Sequence, residues 1–271
     1  MLPINTVYKM DCFDFLDSVD DGSVNLAVID PPYDMKKADW DTFDSHDAFL
    51  GFSYRWIDKV IDKLDKDGSL YIFNTPFNCA YLMQYLVSKG MIYQNWLTWD
   101  KRDGQGGAKR RFSTGQETIL FFSKSKKHTF NFNDVRVPYE STERIEHAKK
   151  KGILKNGKRW FPNPNGRLCG EVWHITSQRH KQKVNGKVMK LGHITPKPHD
   201  MIERIIKASS NPNDLVLDCF SGSGTTAIVA KKLGRNFICC DETQEYVDLA
   251  NKTLQLTEVE LHHDTQLRDG D

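Results

Sequence analysis

Residues 214–234, DLVLDCFSGSGTTAIVAKKLG, constrain the fold more than any other stretch of this chain. The apolar run LVLD has the length of a strand, the turn after it is built on Gly222 and Gly224, and the next residues form a helix that Gly234 can end. A second apolar run, NFICCDE, then closes on Asp241. Strand, glycine turn, helix and strand in immediate succession make a βαβ unit, whose strands lie parallel and whose helix covers one face of the sheet.

The same rhythm runs from the N-terminus to about Ser123. NTVYKM and VNLAVI read as buried strands with the helix CFDFLDSV between them. FLGFSYRWIDKVIDKL carries Phe52, Trp56, Val60 and Leu64 at helical spacing, and GSLYIFN, MIYQNWLTW and ETILFFS follow as strands. After His193, DMIERIIKASS returns to the pattern with Ile202, Ile205 and Ile206 on one helical face. This alternation predicts an α/β chain with a mainly parallel sheet covered on both faces, and 271 residues supply a substantial core.

No apolar run approaches the roughly 18 residues of a membrane span. The opening MLPINTVYKMD lacks the basic-then-apolar layout of a signal peptide, so a soluble, cytoplasmic protein with no membrane partner is expected. Cys12, Cys79, Cys169, Cys219, Cys239 and Cys240 show neither a CxxC pair nor metal-ligand spacing with histidine, which predicts reduced thiols and no metal site. The closing stretch LTEVELHHDTQLRDGD is polar and is expected to be disordered.

Between these α/β portions the rhythm is lost. Lys124 to His199 holds 18 Lys and Arg against 5 Asp and Glu, a local charge of +13, so the rest of a chain that totals +2 carries −11. Aromatics (Phe130, Phe132, Tyr139, Trp160, Phe161, Trp173) interleave with these charges, and the Asn-Gly pairs in NGKRWFPNPNGR and KVNGK predict hairpin turns. An irregular basic insertion of this kind suits a polyanionic partner. The loop WDKRDGQGGAKRRFSTGQ adds glycines at 104, 106 and 107 beside Lys109, Arg110 and Arg111, a composition suited to closing over nucleic acid or to a plain surface loop.

Gly222, Gly224 and Ala227 fit G-x-G-x-x-G/A, and Asp241 ends the next strand, where an acid accepts from ribose hydroxyls. The glycines alone admit both a nicotinamide dinucleotide and S-adenosylmethionine. VIDPPYD, at Val28–Asp34, bears on the choice. As a proline pair it is a turn former. In an open α/β sheet, however, ligands sit beyond the carboxyl ends of the strands, so this motif and the glycine turn can line one crevice. Asp30 would then have a task that hydride transfer does not need.

DPPY at Asp30–Tyr33, followed by a variable segment and then FSGSGTT at Phe220–Thr226, resembles the beta group of DNA amino-methyltransferases. HITPKP at His193–Pro198 and the opening KMDCFDFLDSV…SVNLAVIDPPY are similar to that group's flanking motifs, so the likeness spans nearly the whole chain. It implies a Rossmann-like fold with a mainly parallel seven-stranded sheet. It divides the chain into a catalytic half (1–123), a basic target-recognition segment (124–191), a cofactor-binding half (192–255) and a polar tail (256–271).

The resemblance also implies S-adenosylmethionine as cofactor, with Asp11 accepting from the adenine amino group, the Cys12 backbone at the ring and Asp241 on the ribose. Asp30, Asp218, Phe220, Gly222, Gly224 and Thr225 would line it, and Thr195 and Lys197 would stand near the methionine carboxylate. Asp30, Pro31, Pro32 and Tyr33 would be catalytic. Lys109, Arg110, Arg111, Lys158, Arg159, Arg167, Arg179, Lys181 and Lys183 are the candidate contacts to double-stranded DNA. Asp rather than Ser before the prolines points to adenine N6 over cytosine N4, and the member it most resembles implies the target GAAGA. A companion restriction endonuclease and a homodimer are compatible with this reading. An N4-cytosine enzyme and a catalytically silent nucleic-acid-binding subunit are the alternatives.

Overall fold

The computed structural model describes residues 2–101, 109–177, 181–184, 187–190 and 197–268, with only the backbone course of 181–184, 187–190 and 258–268. The first portion runs β1 (Thr6–Lys9), α1 (Cys12–Asp17), β2 (Val24–Ile29), α2 (His46–Lys63), β3 (Leu64–Asn74), α3 (Pro76–Ser88), β4 (Ile92–Asp100) and β5 (Gln116–Ser123). Next come α4 (Thr142–Lys151), β6 (Ile153–Lys155), β7 (Lys158–Trp160), β8 (Val172–His174), β9 (Lys181–Val184) and β10 (Lys187–Lys190). The chain closes with α5 (His199–Ser209), β11 (Leu215–Asp218), α6 (Thr225–Lys232), β12 (Asn236–Asp241) and α7 (Gln244–Arg268).

One sheet has the order β1-β12-β11-β2-β3-β5-β4-β8. From β1 to β3 every neighbour is parallel, β5 is antiparallel to β3 and β4, and β8 is parallel to β4. The expected mainly parallel sheet is present with eight strands instead of seven. The eighth, β8, comes from the basic segment, with Trp99 opposite Trp173 in register and the Trp99 Nε1 donating to the Ile175 carbonyl at 2.6 Å. Three residues between polar neighbours carry too little alternation to be read as a strand; burial of Trp173 holds them there.

Alternation along the strands separates two cores. Ala27, Ile29, Leu70, Ile72, Leu120 and Phe122 face α1, α2 and α3 through Phe15, Leu16, Trp56, Ile57, Val60 and Leu82. Leu26, Val28, Tyr71, Phe73, Ile119 and Phe121 face α5, α6 and α7 through Ile202, Ile205, Ile206, Val229, Val247 and Ala250. Each buried Val, Leu, Ile or Phe side chain among these stabilises the fold by roughly 1.5–3 kcal/mol, which is why both faces of a parallel sheet are covered.

The closing stretch departs from expectation. Instead of beginning a disordered tail at 256, the backbone stays helical in α7 as far as Arg268. Val247, Ala250 and Leu254 bury one face of its first turns, and extending a formed helix fixes one residue per hydrogen bond, far less costly than starting one. The hairpin reading holds at β6–β7, where Asn156 and Gly157 take positive φ of 49° and 74°, and β9 and β10 pair antiparallel across 185–186. Among the described residues no helix is long and apolar enough to cross a membrane.

Candidate active site

The pairing of β11 with β2, Val216 beside Leu26 and Leu217 beside Ala27, sets the carboxyl ends of these strands next to each other. A cavity of about 550 Å³ opens there. Its wall includes Asp11, Cys12, Asp30, Pro31, Pro32, Tyr33, Lys197, Asp218, Phe220, Gly222, Thr225 and Asp241, so the two strand-end motifs share one crevice. Thr195 lies outside the described residues.

On the glycine side the turn is braced by carboxylates. Asp241 Oδ2 accepts from the Gly222 N–H at 2.8 Å and Oδ1 from Thr243 N–H at 2.9 Å. Asp218, 4% exposed, accepts from Phe220 N–H at 3.0 Å and from the Thr226 hydroxyl at 2.7 Å. Burial pushes its carboxyl up to about 7, against the two hydrogen bonds that favour the charged form. Phe220 rests on Trp56 and Phe52, with ring centroids at 5.7 and 6.2 Å. The Ser221 Oγ, in the cavity wall, is buried without a partner among the described residues.

Asp11 caps α1 by accepting from Phe13 and Asp14 N–H. The Cys12 thiol at the start of that helix is pushed up to about 12 by burial and by Asp11, which makes it inert. Gly224 carries a packing constraint. Its φ is +81°, a Cβ there would stand 2.5 Å from the Ala250 Cβ, and it is absent from the cavity wall. The second glycine is needed for the close approach of α7.

On the DPPY side, Tyr33 Oη donates to Asp30 Oδ1 at 2.8 Å, and the Lys197 ammonium donates to Asp30 Oδ2 at 2.7 Å. Lys197 also lies 3.5 Å from Glu117 Oε2, and Glu117 Oε1 pairs with Lys101. Lys197, expected beside the cofactor's carboxylate, thus stands on the proposed catalytic one. Burial alone would lower the Lys197 ammonium, but Asp30 and Glu117 outweigh it and hold it above its ordinary value. Burial would raise Glu117, yet Lys197 and Lys101 hold it below the usual carboxylate range. The Tyr33 phenol is held well above its ordinary value by burial, Asp30 and Glu117, so it stays a donor.

The loop after the prolines is held from behind. Asp41, 2% exposed, accepts from the Tyr33, Met35 and Lys37 N–H groups. The Asn78 amide donates to the Tyr33 carbonyl at 2.8 Å and to Asn74 Oδ1 at 2.8 Å, and Asn74 reaches the Pro32 carbonyl at 3.5 Å.

Sequence reasoning missed Glu117, Lys101, Asp41, Asn74 and Asn78. Only Glu117 left a clear signal. It stands in phase with Ile119 and Phe121, which face the core, so a charge on that alternation needed a buried partner.

The candidate DNA contacts are spread out. Lys109, Arg110 and Arg111 are exposed, as are Lys158 and Arg159 on β7. Arg159 donates to the Lys151 carbonyl, and Arg167 pairs with Glu140 beside the Val137–Arg167 bridge. Arg179 lies outside the described residues, and Lys181 and Lys183 are placed by backbone alone, on β9.

A family model described as DNA methylase, N6_N4_Mtase, matches residues 24–252. The chain belongs to this DNA methylase family. The methylase is 78% identical over 259 residues to the type II methyltransferase M1.MboII of Moraxella bovis, spanning 96% of this chain and 100% of that protein. It is 30% identical over 274 residues to the type II methyltransferase M.HinfI of Haemophilus influenzae, spanning 93% of this chain and 68% of that one. Among solved structures, it matches the crystal structure of an M1.HpyAVI–SAM complex with a TM-score of 0.59 and 25% identity, covering 92% of this chain and 99% of that one. The cytosine-N4-specific PvuII DNA methyltransferase shares the fold, with a TM-score of 0.63 and 19% identity over 90% of this chain and 84% of that one. The expected methyltransferase fold is the fold observed.

Proposed function

We propose that this methylase is a type II, site-specific DNA methyltransferase of a restriction-modification system, which methylates the exocyclic N6 of an adenine flipped out of duplex DNA, with S-adenosylmethionine as donor. The observation that carries the reading is that Asp30 and Pro31 line one cavity with the Gly222 turn and Asp241. Asp241, Phe220, Gly222, Ser221 and the Asp11–Cys12 corner offer the cofactor a carboxylate, an aromatic face, an open backbone and an unpartnered hydroxyl. When bound, that cofactor supplies an electrophilic methyl group.

An exocyclic amine is a poor nucleophile because its lone pair is delocalised into the ring. The Asp30 carboxylate and the Pro31 carbonyl would accept its two hydrogens and draw the nitrogen toward tetrahedral geometry, while the prolines keep that carbonyl direction fixed. Direct displacement then needs only positioning and electrostatics. Taking a base out of the stack costs a few kcal/mol, and a stack on Tyr33 returns about 1–3 kcal/mol, so Tyr33 retains the base without selecting it. Selection falls to the basic segment, through phosphate and base-edge contacts.

Single-molecule sequencing of DNA from cells expressing the protein tests this reading. N6-methyladenine in one sequence context, with GAAGA the first to examine, is the expected result; N4-methylcytosine would transfer the mechanism to the other amino base, and no modification would overturn it. Asp30→Ala is expected to bind DNA and cofactor while losing methyl transfer.

A further inference from the structure

We propose that Glu117 is a positioning residue for methyl transfer, holding the Lys197 ammonium against Asp30 so that the carboxylate meets the target amine in one orientation. The inference rests on the reading of Asp30 as the acceptor for that amine.

Four charges form a linear chain at the cavity wall, in the order Asp30, Lys197, Glu117 and Lys101. Two acids and two lysines leave it neutral. The two inner side chains, Lys197 and Glu117, are only 10% and 13% exposed, against 26% for Asp30 and 25% for Lys101 at the ends of the chain. Buried ions are retained only when paired, and removing one partner leaves the other uncompensated.

The mounting of the two inner groups differs. Glu117 sits on β5, whose backbone is paired on both sides, with Trp99 opposite Glu117 on β4 and Asn74 opposite Thr118 on β3. Lys197 comes from the turn entering α5, where Pro198 is the N-cap, on a long side chain with many rotamers. A carboxylate on a central strand is the fixed post to which the flexible ammonium is tied. Tyr33 completes the arrangement, its hydroxyl 3.3 Å from Lys197, 3.4 Å from Glu117 and 2.8 Å from Asp30. The Lys197 ammonium also lies over the Tyr33 and Phe73 rings, at 5.4 and 5.3 Å, which leaves Asp30 and Glu117 as its anionic partners. Asp218 feels the charge of Asp30, and Cys79 that of Glu117.

Glu117→Gln preserves size and removes the charge that ties Lys197. At saturating DNA and cofactor, kcat is expected to fall about tenfold or more while both KM values stay within twofold. In a Lys197→Gln background the same substitution is expected to leave kcat unchanged, because Glu117 acts through Lys197. Should the single variant fold poorly, E117Q/K101M keeps the buried charge balanced, and the same loss of kcat is expected from it. An unchanged kcat in whichever of these variants folds, or fully additive losses in E117Q/K197Q, would overturn the proposal. Asp30→Asn at the wild-type rate would instead overturn the role of Asp30, whatever Glu117 does.

Discussion

The Lys197 ammonium stands 2.7 Å from the Asp30 carboxylate, across 167 positions of sequence. That contact joins the segment entering α5 to the carboxyl end of β2 and ties the two halves of the sheet at the cavity. It also means that the Asp30 carboxylate is never a lone charge: one oxygen meets an ammonium and the other a phenol.

The proposed mechanism gives Tyr33 two separable tasks. Tyr33→Phe keeps the ring and loses the hydrogen bond to Asp30; a bond to a charged group is worth about 1.5–3 kcal/mol, so kcat should fall by roughly ten- to a hundredfold. Tyr33→Ala should in addition lose the stacked base. With 2-aminopurine at the target position, the fluorescence rise on binding should persist in the Phe variant and diminish in the Ala variant. Equal signals in both would remove the stacking role.

Gly224→Ala should destabilise the protein without touching the cavity wall. A left-handed backbone costs a non-glycine residue about 1–2 kcal/mol, and the added Cβ would lie 2.5 Å from the Ala250 Cβ on α7. At about 2–4 °C per kcal/mol, Tm should drop by several degrees, read by thermal melting without cofactor. A wild-type Tm would contradict the packing role.

Asp218 gives stability a pH dependence of defined sign. Its native carboxyl sits at about 7 against 3.8 for the free side chain, so between these values the native state holds a proton that the unfolded chain has released. The stabilisation is complete below about 4 and is lost as pH rises through about 7. Asp218→Asn cannot titrate, so in urea titrations from pH 4 to 8 the wild type should lose ground to this variant as pH rises. Parallel pH profiles would show that Asp218 is not protonated in the fold.

Much of the site was legible before any coordinates. Asp30, Tyr33, Gly222 and Asp241 stand where local signals put them, at the ends of apolar runs, because strand ends and glycine turns are written in a few consecutive residues. Asn74 and Asn78 were not legible: Thr75 and Pro76 mark a helix start, and nothing local says that the flanking amides reach back to the Pro32 and Tyr33 carbonyls. Asp41 reads as one acid among many in a polar loop until three amides converge on it.

The motifs of the sequence pointed to the DNA methylase family by resemblance, and the sequence by itself determined the alternation of strands and helices, the two turns that line the cavity and the basic character of the middle segment. These depend on periodicity, on backbone freedom at glycine and on local charge, all short-range properties. Only the tertiary structure decided that β11 lies against β2, that Trp173 adds an eighth strand, that Gly224 serves α7 and that Lys197 and Glu117 meet at Asp30. Strand order and buried ion pairs arise from contacts between distant residues, where burial compels charges to find partners that no spacing along the chain reveals.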